Sequence, residues 1–202
     1  MSITTLTELQ TAINDRFASN ELTTALQNEC IALCESRMRR VLQATDMESV
    51  KVDYTIYGEF CDCPPNFNSV RSFMLNSSPR RPLTFMPDDK QSMLFGCTGT
   101  PQYFSIVGNQ FRFAPVPSSA TTATLVYYQD IPPLATATPK NWMLTSHPDA
   151  YLYGSLYEAA IRNRDVDAAM GYKALFDDAI ASIQRDSTNR RWGGNGMMTA
   201  VA

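Results

Sequence analysis

Hydrophobic residues near the start of the chain repeat with the spacing of an amphipathic helix. Over residues 5–18 they recur at intervals of three and four, at Leu6, Leu9, Ile13 and Phe17. Thr5 and Glu8 have the spacing of a capping box, which favours a helix start at that point. A longer helix is predicted over residues 20–44, with an apolar face made of Leu22, Leu26, Cys30, Leu33, Cys34, Met38 and Val41.

Between residues 50 and 130 the pattern changes to short runs of β-forming residues. VDYTIY at 52–57 alternates polar and apolar positions, and ATLVYYQ at 123–129 is rich in β-branched and aromatic residues. The run over 103–116 predicts two strands joined at Gly108-Asn109. CDCPPNFNS and NSSPRRPLTFMPDDK are predicted to be loops, which serve either as connections or as contact surfaces. Together these features predict an all-β insertion, a small sandwich or a barrel.

Helical spacing returns after a proline-rich connector, IPPLATATPK. The residues around Trp142 are predicted to form a loop, followed by a second capping box at Ser146 and Asp149 with Pro148 in the first turn. The next helix is predicted to bury Leu152, Leu156, Ala159 and Ala160, with Tyr153 and Tyr157 beside them. A last helix over residues 165–185 is predicted to bury Tyr172, Phe176, Ala179, Ile180 and Ile183.

The final residues, 187–202, suit neither a stable helix nor a free tail. The glycine-rich stretch at 193–196 disfavours a helix, whereas Trp192, Met197 and Met198 are poorly suited to water. We therefore expect an extended arm that is held by a partner.

These patterns predict an α+β protein in which the N- and C-terminal helices pack as one helical bundle. The all-β insertion interrupts the bundle, and the extended C-terminal arm follows it. The predicted boundaries are 1–49 for the first helices, 50–130 for the insertion, 131–186 for the last helices and 187–202 for the arm.

The composition of the chain disfavours several classes of function. The chain has 202 residues, 44% of them hydrophobic and 18% charged, with a formal net charge of −3. A mildly acidic chain without a basic stripe disfavours a general nucleic-acid binder. No apolar run is long enough to span a bilayer, the N-terminus does not resemble a signal peptide, and five cysteines fit a reducing cytoplasm better than a disulfide framework.

The sequence contains few candidate catalytic or metal-binding residues, and it predicts neither an enzyme nor a cofactor or metal site. As a general base, His147 would need a nucleophile and an orienting carboxylate nearby, and the sequence spacing suggests neither. A surface or interface position is therefore favoured for this histidine. Cys30 and Cys34 share the apolar face of a helix, and Cys61 and Cys63 lie in a loop. Core thiols are favoured over a zinc site for these four residues. No phosphate-binding glycine motif is present.

Charged residues occur in local groups. The acidic pairs Asp88-Asp89 and Asp177-Asp178 are expected to lie on solvated faces. The basic groups at 37–40, Arg80-Arg81 and Arg190-Arg191 are candidates for pairing with acidic patches on a neighbouring subunit. For the group at 37–40, a solvated helix end is the favoured alternative.

Seven segments of the chain resemble the head-to-tail adaptor (connector) proteins of tailed bacteriophages, notably those beneath the portal of short-tailed phages. The N-terminal segment TLTELQTAINDRF lies in the position expected for that family. The others are Tyr127-Tyr128, Ile131-Pro132-Pro133-Leu134, Asn141-Trp142-Met143-Leu144, Pro148-Asp149, Tyr151-Leu152-Tyr153-Gly154 and Glu158-Ala159-Ala160.

The resemblance implies a structural virion protein at the head–tail interface, assembled in the host cytoplasm. Such adaptors form a ring, usually a dodecamer, between the portal protein and tail, nozzle or fibre proteins. Genomic DNA passes through the ring without sequence-specific binding, and no membrane is involved. The residues expected to contact the portal or a neighbour are Arg190, Arg191, Trp192, Met197 and Met198. Those expected to pack between subunits are Trp142, Tyr151, Tyr153 and Tyr157.

The alternative function is a carbohydrate- or receptor-binding module of a phage tail. In that case the β-insertion would present an aromatic platform made of Tyr54, Tyr57, Tyr103, Phe104 and Phe111. Alternating aromatic residues on strands more often fill a core, which disfavours this hypothesis.

Overall fold

The fold is α+β and divides into two compact units. A computed structural model describes residues 3–17, 22–91 and 97–192 of the chain. We call the unit formed by Met1–Asp46 and Ile131–Ala202 the helical unit, and the unit formed by Met47–Asp130 the β unit.

Within the described residues the helical unit contains five α-helices, and the short helix α3 (Asp88–Gln91) belongs to the β unit. The five helices are α1 (Leu6–Arg16), α2 (Thr24–Val41), α4 (Trp142–Ser146), α5 (Pro148–Arg162) and α6 (Val166–Trp192). A 3-10 turn at Thr45–Met47 leads into the first strand.

The first capping box is confirmed. The Glu8 backbone N–H donates to Thr5 Oγ1 at 3.3 Å, and the Thr5 backbone N–H donates to Glu8 Oε2 at 3.0 Å. These bonds satisfy two N–H groups that the first turn of a helix leaves without backbone partners.

The apolar face predicted for α2 is partly wrong. Cys30, Cys34 and Met38 are buried as expected, but Leu33 and Val41 are 48% and 51% exposed. The helix instead turns two polar residues inwards, Gln27 and Glu35, together with Ile31. The prediction failed because these polar residues find hydrogen-bond partners inside the unit, which hydrophobicity alone does not reveal.

The predicted cap of α5 is also wrong. Residues 142–146 form the short helix α4, which Asn141 caps by accepting a hydrogen bond from the Leu144 N–H at 2.7 Å. Ser146 therefore ends α4, and His147 is the N-cap of α5 without a side-chain cap bond. Pro148 occupies the first turn as predicted, where no N–H is needed.

The last helix is longer than predicted. Helix α6 continues past Arg185 to Trp192, so residues 187–192 are helical and not part of an extended arm. Ser187 is buried and accepts a hydrogen bond from the Thr45 N–H at 2.9 Å, and Gln184 donates to the Val41 carbonyl at 3.0 Å. These bonds tie the end of α6 to the segment after α2. The remainder of the predicted arm, 193–202, lies outside the described residues.

Helix α5 is the centre of the helical unit, and Gly154 sets how closely its neighbours approach. Tyr151, Leu156 and Ala160 are fully buried along α5. A Cβ atom added at Gly154 would lie 2.3 Å from Cys34 Sγ on α2 and 3.0 Å from the Phe176 ring on α6. Any larger side chain would therefore push two helices away from α5.

The β unit is a sandwich of two four-stranded sheets. Their strand orders are β1-β8-β3-β4 and β2-β7-β6-β5, with β5 and β6 parallel and all other pairs antiparallel. The strands are β1 (Glu48–Ile56), β2 (Phe60–Asp62), β3 (Phe67–Leu75), β4 (Arg81–Pro82), β5 (Thr84–Phe85), β6 (Tyr103–Val107), β7 (Gln110–Ala114) and β8 (Thr121–Gln129). The short helix α3 (Asp88–Gln91) follows β5.

The predicted hairpin at Gly108-Asn109 is confirmed. Val107 pairs with Gln110 across a two-residue turn, and Gly108 has a φ of +61°. This conformation favours glycine because it has no Cβ.

Strand β3 was missed because its residues do not alternate cleanly. The pairing of β3 with β8 shifts register between Phe67 and Ser69 and again between Val70 and Ser72. Each irregularity moves the following side chains to the other face, which breaks the period of two. CDCPPNFNS and NSSPRRPLTFMPDDK also include the end of β2, all of β4 and β5, and most of α3, so they are less irregular than predicted.

Aromatic residues fill the core between the two sheets. Tyr54, Phe104 and Phe111 are 4%, 4% and 0% exposed, so these three residues fill the core as favoured and do not form the platform of the alternative function. Phe111 contacts the rings of Tyr54 and Phe73 edge-to-face, at centroid distances of 5.8 and 5.4 Å. Such pairs are favoured by the charge distribution of aromatic rings.

We predict that Gly154→Ala destabilises the helical unit. Alanine gains about 1 kcal/mol in helix propensity, but overpacking typically costs about 1–3 kcal/mol, and the 2.3 Å contact with Cys34 makes the second effect larger. Urea unfolding should show a lower free energy of unfolding for this variant and a partial recovery in Gly154→Ala/Cys34→Ala.

Gly171→Ala is the matched control for this test. Gly171 lies in α6, and no atom lies within 4 Å of its added Cβ, so only the gain in helix propensity applies. A Gly154→Ala protein as stable as Gly171→Ala would contradict the close-packing interpretation.

Candidate functional site

The four residues predicted to pack between subunits have different environments. Tyr151 is 0% exposed and lies in the core of the helical unit, so it presents no surface to a neighbour. Trp142, Tyr153 and Tyr157 are only partly buried and keep part of their side chains at the surface. The helix period explains the difference, because Tyr151 points towards α2 whereas Tyr153 and Tyr157 lie beside the buried face.

A buried polar network surrounds Tyr151. Its hydroxyl donates a hydrogen bond to Glu35 Oε1 at 3.1 Å, and the same oxygen accepts the Leu134 backbone N–H at 2.8 Å. Glu35 is only 5% exposed. One carboxylate of α2 therefore holds both α5 and the proline-rich connector before α4.

Asn141 completes the network from the other side. Its Nδ2 donates to Tyr151 Oη at 2.7 Å and to the Pro132 carbonyl at 2.8 Å, while its Oδ1 caps α4. The asparagine uses both ends of its amide, so the connector and α4 are positioned by one side chain. Sequence reasoning missed Glu35 because its partners, Leu134 and Tyr151, are distant along the chain. It missed the role of Asn141 because it placed a loop where α4 forms.

Burial controls the protonation of this network. Removal from water raises the pKa of Glu35 above its ordinary value, although the hydrogen bonds from Leu134 and Tyr151 and the charge of Arg39 oppose the shift. Burial also raises the pKa of the Tyr151 hydroxyl, with a further contribution from the Glu35 charge. Tyr151 is therefore a hydrogen-bond donor at neutral pH.

A second connection between α2 and α5 is ionic. Arg37 donates to Glu158 Oε1 from Nε at 3.1 Å and from Nη2 at 2.7 Å, and its guanidinium lies 4.7 Å from the centroid of the Tyr157 ring. The basic group at 37–40 therefore forms part of its contacts within the subunit. Its Glu158 partner is only 10% exposed, which reduces screening of the pair by solvent.

The end of α6 presents basic side chains close to acidic partners of the same unit. Arg190 pairs with Asp186 at 2.8 Å and with Asp46 at 3.1 Å. The Arg190 side chain is 53% exposed, so these surface pairs contribute little to stability and can exchange for other partners. Arg191 and Trp192 follow as the last two residues of the helix.

An apolar pocket lies where α5 turns into α6. We call it the α5–α6 corner. Its floor is formed by Tyr157, Ile161, Val166, Ala169 and Met170, and the charged residues Arg164, Asp165 and Lys173 line its rim. Its cavity has a volume of about 270 Å³. Ile161, Val166 and Met170 are 46%, 66% and 67% exposed, which is unusual for three neighbouring large apolar side chains.

Arg112 forms two ion pairs on the outer side of one sheet of the β unit. It is 7% exposed and pairs with Glu59 at 2.8 Å and Asp88 at 2.7 Å, with its guanidinium 5.3 Å from the centroid of the Phe60 ring. Asp88, one member of a pair predicted to be solvated, is therefore used in an ion pair. This buried arginine was not identified from the sequence because both partners are remote along the chain.

The potential metal ligands of the described residues do not cluster, and four cysteines of these residues are buried. Among the described residues, no group of three or more His, Cys, Asp and Glu side chains is arranged to hold a metal ion. Cys30, Cys34, Cys61 and Cys63 are buried free thiols, and burial raises the pKa of Cys63 to about 11, with a smaller effect of Asp62. A thiol with a raised pKa is a weak nucleophile.

No helix in the described parts of the chain has the length and apolarity required to cross a membrane.

The comparison with protein families gives a match that covers both units. A family model described as SU10 adaptor protein matches residues 4–199 of the 202-residue chain. No curated protein sequence matches the chain at a significant level.

We predict that Glu35→Gln makes the stability of the protein less sensitive to pH. Because the pKa of Glu35 is raised by folding, the unfolded state loses its proton first, and stability falls as pH rises through and above the ordinary glutamate pKa of about 4.3. Glutamine keeps an oxygen that can accept both hydrogen bonds but does not ionise. Urea unfolding across this pH range should therefore show a smaller decrease for Glu35→Gln than for the original chain.

Glu29→Gln serves as the control, because Glu29 lies on the same helix with a side chain that is 59% exposed. Parallel pH profiles for the original chain and Glu35→Gln would contradict the proposed titration of the buried carboxyl group.

Proposed function

The chain belongs to the SU10 adaptor protein family, and we propose that it forms a ring that joins the portal of a bacteriophage capsid to the tail and continues the DNA channel. Family membership makes it a structural adaptor component of a bacteriophage virion. The observation that carries the proposal is the extent of the match, which includes both units and reaches beyond the end of α6.

Two different surfaces of the helical unit support a ring. A ring is built from heterologous contacts, in which one surface of a subunit meets a different surface of the next. The exposed apolar α5–α6 corner and the basic end of α6 are such a pair of unlike surfaces. They lie at opposite ends of one long helix, Val166–Trp192.

The residues at and after the end of α6 are proposed to contact the portal or a neighbouring subunit. Trp192 is the proposed anchor, because tryptophan often dominates the energy of an interface. Arg190 and Arg191 are proposed to supply charge complementarity, since exposed ion pairs such as Arg190–Asp46 are readily exchanged. Met197 and Met198 are proposed to add apolar contact area.

Trp142, Tyr153 and Tyr157 are proposed to contribute to packing between subunits. Each is partly exposed on the helical unit, and an aromatic side chain gives a large contact area at little entropic cost. Tyr151 is buried instead, where it forms hydrogen bonds with Asn141 and Glu35 of the same subunit.

The charge of the chain is compatible with a DNA channel. A formal net charge of −3 and only local groups of basic residues favour a surface that does not retain DNA tightly. We propose that genomic DNA passes through the ring without sequence-specific contacts, and that assembly takes place in the host cytoplasm.

Electron microscopy of particles that contain the chain tests the proposed role. We expect copies of the chain in a ring, usually of twelve, between portal and tail, because heterologous contacts that close must repeat around an axis. A single copy at this position, or its absence from the head–tail junction, would refute the ring.

We predict that Trp192→Ala weakens docking without unfolding the subunit. Loss of an anchoring tryptophan at an interface typically costs about 2 kcal/mol or more, so fewer chains should be retained on portal-containing particles. The measurement is the amount of chain that co-sediments with these particles, together with the thermal unfolding of the free protein.

Leu175→Ala is the matched control, because Leu175 is a 47% exposed apolar residue of the same helix. Equal retention of the Trp192→Ala and Leu175→Ala proteins would show that Trp192 is not the anchor.

A further inference from the structure

The α5–α6 corner needs a largely apolar occupant. Three charged side chains lie at its rim; two of them have partners in their own subunit, and the third, Arg164, is exposed. Lys173 pairs with Asp177 at 3.0 Å, and Asp165 accepts the Ala168 N–H at 3.0 Å. The floor of the corner is apolar, with Ile161, Val166 and Met170 open to solvent, and removing these side chains from water is favourable.

The last ten residues of the chain have the required composition. Residues 193–202 read GGNGMMTAVA and contain no charged side chain. Met197 and Met198 are flexible and polarisable, which suits the filling of an irregular apolar cavity. Glycine residues before them remove the steric barrier to a close approach of the backbone.

The length of α6 excludes the corner of the same chain as the binding site for these methionines. At about 1.5 Å per residue, the 22 steps from Met170 to Trp192 span about 33 Å. From Trp192 to Met198 the chain extends by at most about 22 Å, at up to 3.6 Å per residue. The methionines of a chain therefore cannot reach its own corner, whatever path they follow.

We propose that the α5–α6 corner of one copy binds Met197 and Met198 of a second copy. This inference deepens the proposed ring and rests on it, because it assigns one of the two partners left open for these residues. The contact joins the end of α6 in one subunit to the start of α6 in the next. Such a contact joins two unlike surfaces, so it can repeat head to tail around an axis and produce a ring.

Disulfide cross-linking in assembled particles tests this contact. Two versions of the chain are produced in the same cells, one with Met170→Cys and the other, distinguished by a size tag, with Met197→Cys. Both carry Cys97→Ser, because Cys97 is the exposed cysteine among the described residues. We expect an oxidised heterodimer of the two versions on non-reducing electrophoresis, because the two thiols come from different chains by design.

Ala181→Cys replaces Met170→Cys in the matched control. Ala181 is exposed on the same helix but lies 11 residues, about 16 Å, beyond Met170 and outside the corner. The heterodimer should be several-fold more abundant with Cys at 170 than with Cys at 181. Equal yields, or cross-links of the 197 thiol to the portal alone, would overturn the assignment of the corner.

A substitution in the corner gives an independent readout. Met170→Asp places a charge on a side chain that is 67% exposed, so the thermal unfolding of the free subunit should not change. Incorporation of this variant into particles should fall several-fold relative to Ala181→Asp. Normal incorporation of Met170→Asp would contradict an apolar contact at the corner.

Failure of this inference can be separated from failure of the ring. If microscopy shows the chain at the head–tail junction but the 170–197 cross-link is absent, the corner binds another partner and the adaptor role stands. If the chain is absent from the junction, the proposed ring fails, and with it the inference.

Discussion

The close approach of three helices at Gly154 is the constraint on which the helical unit depends. A glycine on α5 lets Cys34 of α2 and Phe176 of α6 pack directly against its backbone. Since Cys34 and Glu35 are adjacent on α2, the same approach brings the Glu35 carboxylate within hydrogen-bond distance of Tyr151. The close packing at Gly154 and the polar network around Glu35 therefore depend on the same arrangement of α2 and α5. A larger side chain at position 154 would separate the helices and also lengthen the bonds to the carboxylate.

The polar network gives the proline-rich connector a defined path. Prolines provide no N–H, so the connector cannot hold itself in place through regular secondary structure. Glu35 accepts the Leu134 N–H and Asn141 donates to the Pro132 carbonyl, which fixes the first part of the connector. Burying a carboxylate is unfavourable by itself, and the raised pKa of Glu35 reflects that penalty. The network therefore trades some stability at neutral pH for a single arrangement of α4 and the connector, a role that buried polar groups fulfil in some proteins.

With the core organised around α5, the ends of α6 remain for contacts with partners. Its first turns expose Val166 and Met170, and its last turn carries Arg190 and Arg191. The 27-residue length of the helix separates these surfaces, so one copy cannot bring its own two ends together. A subunit with unlike surfaces that are held apart is suited to repeat head to tail, and this is the physical basis for the proposed adaptor ring.

The sequence by itself determined the helix–β–helix order, the first capping box and the hairpin at Gly108-Asn109, because local spacing and turn chemistry specify these features. It also pointed to the adaptor family through short segments, and the family match confirms this. Only the tertiary structure decided that Tyr151 serves the core, that Glu35 and Arg112 are buried, and that α6 continues to Trp192. These outcomes depend on partners far away in sequence, such as Leu134 for Glu35, Asp88 for Arg112, and Thr45 for Ser187. A hydrophobic period cannot reveal a polar side chain that is stabilised by a distant hydrogen-bond partner.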